Sequence, residues 1–122
     1  MAGLTLRCSA AIGAFARFVA RRDGATCERR AVPEGVLWVC AGAQGRSFAR
    51  GGTTYGDTYV TGSSPAATAP ERLRHELVHV AQWRRWGPVF PLLYALAELR
   101  AGGDPRRNRF EAAAGLRDGG YA

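Results

Sequence analysis

The sequence contains no lysine, and all 17 of its basic residues are arginines. Alanine, glycine and arginine are abundant along the whole chain, which is typical of codon bias in a genome rich in guanine and cytosine. The formal net charge of +7 is therefore weak evidence for a nucleic-acid partner. The arginines are dispersed, whereas a nucleic-acid-binding domain carries them in a patch or along one face. We expect no specific nucleic-acid partner.

Cysteine is also scarce, with Cys8, Cys27 and Cys40 the only three. An odd number without a C-x-x-C pair argues against a disulfide framework and against a metal site built from cysteines. We expect reduced, mostly buried thiols, since nothing in the sequence supports a Cys27–Cys40 bridge. No signal peptide is evident, and the strongly apolar run 89–99 is too short to span a bilayer. The expected location is the cytoplasm.

The composition typical of disorder is missing, because 47% of the residues are hydrophobic and they are spread along the chain. A length of 122 residues is enough for one modest core. We therefore expect a single domain over 1–122. In this domain 1–62 would form a helix and a small sheet, and 68–117 would form a helical half.

The first half predicts one helix and a few strands. The predicted elements are a strand at 4–8, a helix at 9–22, a loop at 23–34, and strands at 35–40 and 53–61. The helix follows from apolar residues at helical spacing, and the last strand follows from its β-branched and aromatic residues. Gly56 interrupts that strand and indicates a bulge or a close approach of the backbone.

The second half predicts three helices. Residues 68–71, Thr-Ala-Pro-Glu, are typical of a capping box at a helix start. That helix is expected to end at Gly87-Pro88. Two more helices are predicted, one at about 89–101 and one that begins at 105 or 109 and ends at 117.

The chain has only two histidines, and both lie in the sequence His75-Glu76-Leu77-Val78-His79. Histidines four residues apart on a helix lie one turn from each other, so both imidazoles can reach one metal ion. The glutamate between them can take a proton from an attacking water as general base. Because a catalytic zinc site takes three ligands from the protein, this pattern predicts such a site with one ligand still to be found.

The residues alone leave the third ligand open among four acids that follow the motif, which are Glu98, Asp104, Glu111 and Asp118. Glu98 lies at a distance from His79 that serves some larger zinc peptidases, but an amphipathic helix needs polar positions there anyway. Glu111 lies among alanines, which would let its helix approach another closely. Asn108 and Glu111 would also serve as a capping box.

The segment from about 53 to 116 resembles small gluzincin-like metallopeptidase domains of bacteria. The resemblance rests on a strand rich in threonine and glycine, on 73–82 (LRHELVHVAQ) and on 108–114 (NRFEAAA). In that family a glutamate of a later helix completes the zinc site. The resemblance therefore implies Glu111 as third ligand beside His75 and His79. It also implies Zn²⁺ as cofactor and an α+β, zincin-like fold with a small sheet packed on the motif helix.

Other residues are candidates for supporting roles. Gln82 follows His79 by three residues and would lie on the same helix face, where it could orient a ligand. Four tyrosines are candidates to stabilise the oxyanion that forms when water attacks a carbonyl. They are Tyr55, Tyr59, Tyr94 and Tyr121. We favour Tyr94, because its helix lies between the two halves of the site.

The expected function is hydrolysis of peptide bonds by a zinc-dependent endopeptidase, with Glu76 as general base. Strand 53–61 would pair at a sheet edge with an extended peptide or protein substrate. Because the chain is short, substrate selection is expected to need oligomerisation, a protein partner or a peripheral membrane surface. Candidates for such a surface are Trp83, Trp86, Phe90 and Tyr94. The alternative is a catalytically inactive zinc-binding module, and a basic nucleic-acid-binding domain is less favoured.

Overall fold

The computed structural model describes residues 2–49, 51–115 and 118–119. In this structure the chain has an α+β fold, as the sequence predicts. The helices are α1 (Ala2–Arg22), α2 (Pro70–Trp86), α3 (Phe90–Arg100) and α4 (Arg109–Ala114). The strands are β1 (Thr26–Val32), β2 (Gly35–Ala41), β3 (Gly52–Tyr55) and β4 (Thr58–Thr61). Within these ranges no helix is both long and apolar enough to cross a membrane.

The sheet is mixed and has the strand order β1-β2-β4-β3. β2 and β4 pair in parallel at its centre, while β1 and β3 pair antiparallel with them at the two edges. Side chains alternate between the two faces of a strand, so each central strand can contribute to two clusters. The cluster that joins the sheet to α2 consists of Leu37, Val39, Tyr59, Leu73 and Val80. On the other face Cys40 and Val60 pack against Ala20 of α1.

Two predictions for the first half are wrong. Residues 4–8 are not a strand, because α1 runs through them without a break. Residues 23–34 are not a loop, because β1 pairs with β2 over seven residues. β1 is an edge strand with exposed polar residues such as Glu28 and Arg29, so its sequence lacks the alternation that identifies a strand. The strand conformation of β1 depends on its pairing with β2, and the sequence of β1 alone does not predict that pairing.

The predicted strand 53–61 is a hairpin, in which Gly56 and Asp57 form the turn between β3 and β4. Gly56 has a φ of +62°, which residues with a Cβ atom rarely adopt. A Cβ atom at this position would also clash with the backbone carbonyl of Ser9 in α1. The close backbone approach predicted at Gly56 is therefore confirmed, and this glycine lets the hairpin rest directly on α1.

α2 lies where the sequence predicts it, but its start is not a capping box. The N-cap residue is Ala69, and no side chain accepts a hydrogen bond from the first turn. Thr68 belongs to a preceding 3₁₀ turn, where its hydroxyl donates to the carbonyl of Pro65 at 3.4 Å. Pro70 in the first turn has no backbone N–H to satisfy, so the helix can begin without the cap.

α3 and α4 also lie where helices were predicted, but α4 ends at Ala114 and not at 117, because Gly115 leaves the helix with a φ of +94°. Asn108 caps α4, because its side chain accepts a hydrogen bond from the backbone N–H of Phe110 at 2.9 Å. Asp104 in turn caps the 3₁₀ turn that precedes α4. The short α4 is therefore held at its start by side chains that the sequence singled out.

Cys27 and Cys40 form a disulfide, contrary to the expectation of reduced thiols. The two residues face each other in the pairing of β1 with β2, and their Cα atoms are 4.0 Å apart. Sequence spacing could not reveal this pair, because the register of β1 with β2 brings the thiols together. Cys8 is a free thiol.

We expect reduction of this disulfide to lower the free energy of unfolding by about 3 kcal/mol, since the bond closes a loop and so lowers the entropy of the unfolded chain. The sequence separation of the two cysteines is 13 residues. Urea denaturation with and without dithiothreitol measures the effect. Cys8→Ala is the control and should respond to reductant like the natural chain. Equal denaturation midpoints under both conditions would show that the bond contributes nothing.

Candidate metal centre

α2 presents His75 and His79 one turn apart on the same side, and both side chains are buried. Leu73 and Val80 lie on another side of the helix and are anchored in the cluster that joins α2 to the sheet. Leu77 packs partly against the same cluster. These apolar contacts fix the helix and leave the histidine side turned toward α4.

The two imidazoles meet Glu111 of α4. Glu111 Oε1 lies 3.1 Å from Nε2 of His75 and 2.9 Å from Nε2 of His79. The two Nε2 atoms are 3.2 Å apart, and all three side chains are buried. In a tetrahedral zinc site with bonds of about 2.0–2.1 Å, neighbouring ligand atoms are about 3.4 Å apart. The spacing of these three atoms therefore fits one small cation.

The remaining ring nitrogens of both histidines are held by oxygen acceptors. His75 donates from Nδ1 to the carbonyl of Gly115 at 2.7 Å, and His79 donates from Nδ1 to Oε1 of Gln82 at 2.7 Å. In a neutral imidazole this places the lone pair on Nε2. Two lone pairs and a carboxylate oxygen then converge in a buried space, which is the donor set that zinc accepts. Without a cation or added protons these atoms would repel one another.

The electrostatics of the group agree with this donor set. Without a metal, burial by itself raises the pKa of the Glu111 carboxyl, but hydrogen bonds from the protonated forms of the two histidines and from Tyr94 hold that pKa well below its usual range. Burial lowers the pKa of His79, but the hydrogen bond to Glu111 and the charges of Glu76 and Glu111 outweigh it and raise the pKa. Both shifts mean that the site favours a positive charge between its members.

The other acids that the residues alone left open lie outside this group. Glu98 accepts a hydrogen bond from the side-chain amide of Asn108 at 2.8 Å. Asp104 pairs with Arg106, and Asp118 pairs with Arg74 at 2.7 Å. Among the acids considered as third ligand, the described structure brings Glu111 alone to both histidines.

Glu76 lies beside the group, with Oε1 at 3.9 Å from Nε2 of His75. Thr54 of β3 donates from its hydroxyl to Glu76 Oε2 at 2.7 Å. Arg72, one turn earlier on α2, donates from Nε to Glu76 Oε1 at 3.0 Å. Because both carboxylate oxygens are engaged, Glu76 is held in one orientation next to the histidines. Sequence reasoning missed Thr54, since only the fold brings β3 to α2. It also missed Arg72, although the spacing of four residues to Glu76 on one helix is a signal that could have found it.

Tyr94 contacts the site through Glu111. Its hydroxyl donates a short hydrogen bond to Oε2 of Glu111, the oxygen that does not bridge the histidines. Tyr55 donates instead to the carbonyl of Ser47, and Tyr59 donates to the carbonyl of Ala67, each at 2.9 Å. Tyr121 lies outside the described residues. Of the described candidates, Tyr94 is the one that touches a member of the group.

A cleft of about 410 Å³ opens onto Glu76, His79 and Glu111. One wall is the edge strand β3, and the other is formed by α2 and α3. Aromatic rings make much of the second wall. Trp83 and Phe90 pack edge to face with ring centres 5.2 Å apart. Two of the three donors, His79 and Glu111, are thus reached from a mainly apolar cleft.

The aromatic residues proposed as a partner surface are mostly core residues. Trp83 and Phe90 are buried and pack with Phe110 of α4 in one cluster, against which Trp86 and Tyr94 are partly buried. This cluster ties α2, α3 and α4 together. It therefore supports the position of Glu111 and does not form an outer surface.

Of the described residues after α4, Gly115 and Gly119 lie against His75. Gly119 is buried, and a Cβ atom there would clash with the His75 ring. Asp118 forms an exposed ion pair with Arg74 of α2. Only glycine fits so close to the imidazole, and no pattern in the sequence indicated this contact.

We expect Gln82→Ala to weaken zinc binding by about 10- to 100-fold, the usual cost of removing a partner that orients a metal-binding histidine. Gln82 accepts from His79 and donates from Nε2 to the carbonyl of Phe110 at 3.1 Å, so it links the histidine to α4. Competition with a fluorescent chelator measures the affinity. Arg84→Ala, an exposed substitution on the same helix, is the control. Equal affinities of both variants would contradict this role.

Comparison of the chain with protein-family models, with curated proteins and with solved structures gave no match. The case for a metal centre therefore depends on the geometry of His75, His79 and Glu111, a buried group that could hold a metal ion.

Proposed function

We propose that the chain is a zinc-dependent peptidase, in which His75, His79 and Glu111 hold the metal and Glu76 acts as general base. The main observation in support of this proposal is the position of Glu76. Its carboxylate lies 3.9 Å from a histidine of the three-donor group and faces the same cleft as His79 and Glu111. A site that only stored or bound a metal would not need this second buried carboxylate.

Zinc bound by the three donors would supply Lewis acidity that polarises the scissile carbonyl and lowers the pKa of the attacking water. Glu76 would take the proton from that water and pass it to the leaving amine. Thr54 and Arg72 hold the Glu76 carboxylate in place through their hydrogen bonds. Tyr94 holds Glu111 in the present structure, and its predicted role as oxyanion donor stays a prediction.

The shape of the cleft supports a peptide as substrate. β3 is an edge strand, so an extended chain could lie along it. The Thr54 carbonyl already accepts from the Trp83 indole, and the Gly52 N–H already donates to the Ala49 carbonyl, each at 3.0 Å. Backbone pairing would therefore use the remaining groups of β3. The apolar wall with Trp83 and Phe90 would favour an apolar side chain next to the reacting bond. A peptide bound in this cleft would lie next to Glu76 and His79.

The proposal is tested with the full chain loaded with zinc and with a library of internally quenched peptides. We expect about one zinc per chain by inductively coupled plasma mass spectrometry. We also expect cleavage that stops on treatment with 1,10-phenanthroline and returns with zinc. Absence of zinc would contradict the metal centre. One zinc per chain without cleavage of any peptide would contradict the peptidase while leaving the metal centre in place.

One observation favours a second candidate, a zinc-binding module without peptidase activity. Both oxygens of Glu76 are engaged, one of them by the Arg72 guanidinium. Glu76 could serve in that module as a structural partner of Arg72. Under this alternative Arg72→Gln would change stability, whereas in a peptidase it would also change the rate of cleavage.

The disulfide bears on where the protein works. The cytoplasmic location expected from the sequence stays a prediction, and the Cys27–Cys40 bond argues against it, because such bonds persist in oxidising compartments.

A further inference from the structure

One side of α3 is apolar and turned to solvent. Val89, Leu92, Leu96 and Leu99 recur at spacings of three and four residues, so they follow one side of the helix. Their exposed fractions are 49%, 72%, 45% and 79%, respectively. The core contacts of α3 are made by other residues, Phe90, Leu93 and Ala97. We call the four exposed residues the leucine face.

Three arginines border this face. Arg100 lies at the end of α3, Arg107 lies in the 3₁₀ turn before α4, and Arg109 is the first residue of α4. With Leu93, Leu96 and Phe110 they line a pocket of about 260 Å³. All three are exposed, and within the described part of the chain none of them has a carboxylate within 4.0 Å.

The nearby acids do not offset this charge. Asp104 is paired with Arg106. Glu98 lines the other cleft, where it accepts a hydrogen bond from Asn108. The leucine face and its three arginines therefore form a surface that is apolar at its centre and cationic along one side.

We propose that this surface docks the protein on a membrane that contains anionic phospholipids. The leucines would enter the boundary between headgroups and acyl chains, and Arg100, Arg107 and Arg109 would bind lipid phosphates. A second copy of the chain fits less well, because a symmetric contact would bring the arginines of both copies together without carboxylates to offset them. A nucleic acid offers phosphates but no apolar partner for the leucines.

Docking would place the proposed active site next to the membrane. α3 carries the leucine face on one side and Tyr94 of the cleft wall on another. Peptides close to the membrane surface would then be the substrates presented to the cleft. The docking itself requires neither zinc nor catalysis, so it can succeed or fail independently of the proposed peptidase.

Co-sedimentation of the full chain with lipid vesicles tests the proposal. We expect binding to vesicles of phosphatidylcholine with phosphatidylglycerol, weaker binding at high salt, and much weaker binding to phosphatidylcholine alone. Each arginine near the surface contributes about fivefold. A variant with Arg100→Gln, Arg107→Gln and Arg109→Gln should therefore bind about 100-fold more weakly. A variant with Leu92→Gln, Leu96→Gln and Leu99→Gln should also lose binding.

The control removes the same charge from α1 through Arg7→Gln, Arg21→Gln and Arg22→Gln, all at exposed positions. This variant should keep most of the binding. Circular dichroism confirms that each variant is folded, which is expected because every replaced side chain is exposed. Equal loss in the control would overturn the proposal, as would absence of vesicle binding. Sedimentation equilibrium that shows a dimer dissociated by the leucine substitutions would also overturn it.

Discussion

Glu111→Gln should lower the affinity for zinc by more than about 100-fold, beyond the range for partners that only orient a ligand. The substitution removes the one carboxylate oxygen that lies within 3.1 Å of both Nε2 atoms. The amide is nearly isosteric, and it can still accept the hydrogen bond from Tyr94. The expected loss of zinc affinity therefore comes from the missing metal ligand and not from a change in packing.

Glu98→Gln is the matched control, because Glu98 was the rival for the third position and lines the same cleft. The amide oxygen can still accept from Asn108, so this variant should bind zinc with the natural affinity. Affinities are measured by chelator competition, and thermal unfolding without metal confirms that both variants are folded. Full affinity in Glu111→Gln together with loss in Glu98→Gln would reverse the assignment of the ligand.

The parts of the site that the sequence predicts are those set by local structure. The spacing of His75 and His79 fixes their relation on any helix, and the apolar residues of α2 fix which side faces the core. The same periodicity predicts that Gln82 lies on the histidine side of α2, and in the structure its side chain accepts a hydrogen bond from His79. Proline and glycine at the two ends of α2 define its bounds, although the capping pattern before it predicts a contact that does not form.

Glu111 could not be predicted from the residues alone. It reaches the histidines because Phe90 and Phe110 pack α4 against α2 and α3. That packing is a tertiary property, and a resemblance to a family was needed to choose Glu111 over Glu98. The same limit hid Thr54 as a partner of Glu76, since Thr54 belongs to β3 and only the fold brings it to α2.

The errors in the first half have a related cause. β1 is polar and exposed, so its strand conformation depends on pairing with β2 rather than on its own sequence. Reading β1 as a loop concealed the register that opposes Cys27 and Cys40. One missed strand therefore accounts for the missed disulfide.

Glu76→Gln should leave zinc binding intact and lower the rate of peptide cleavage by about 10²- to 10⁴-fold, the usual contribution of a general base. Glu76 is not one of the three donors, and the amide keeps an oxygen that can accept from Thr54 or Arg72. Metal content and affinity should thus match those of the natural chain. The amide cannot take a proton from water, so the proton transfer is lost.

Glu71→Gln is the matched control, because Glu71 is an exposed glutamate on the same helix and should not affect cleavage. Both variants are loaded with one equivalent of zinc and compared on the peptide that the natural chain cleaves fastest. Unchanged cleavage in Glu76→Gln would remove Glu76 from the mechanism. Loss of zinc in that variant would make Glu76 a structural member of the metal centre. Retained zinc with lost cleavage would separate the peptidase from a module that only binds metal.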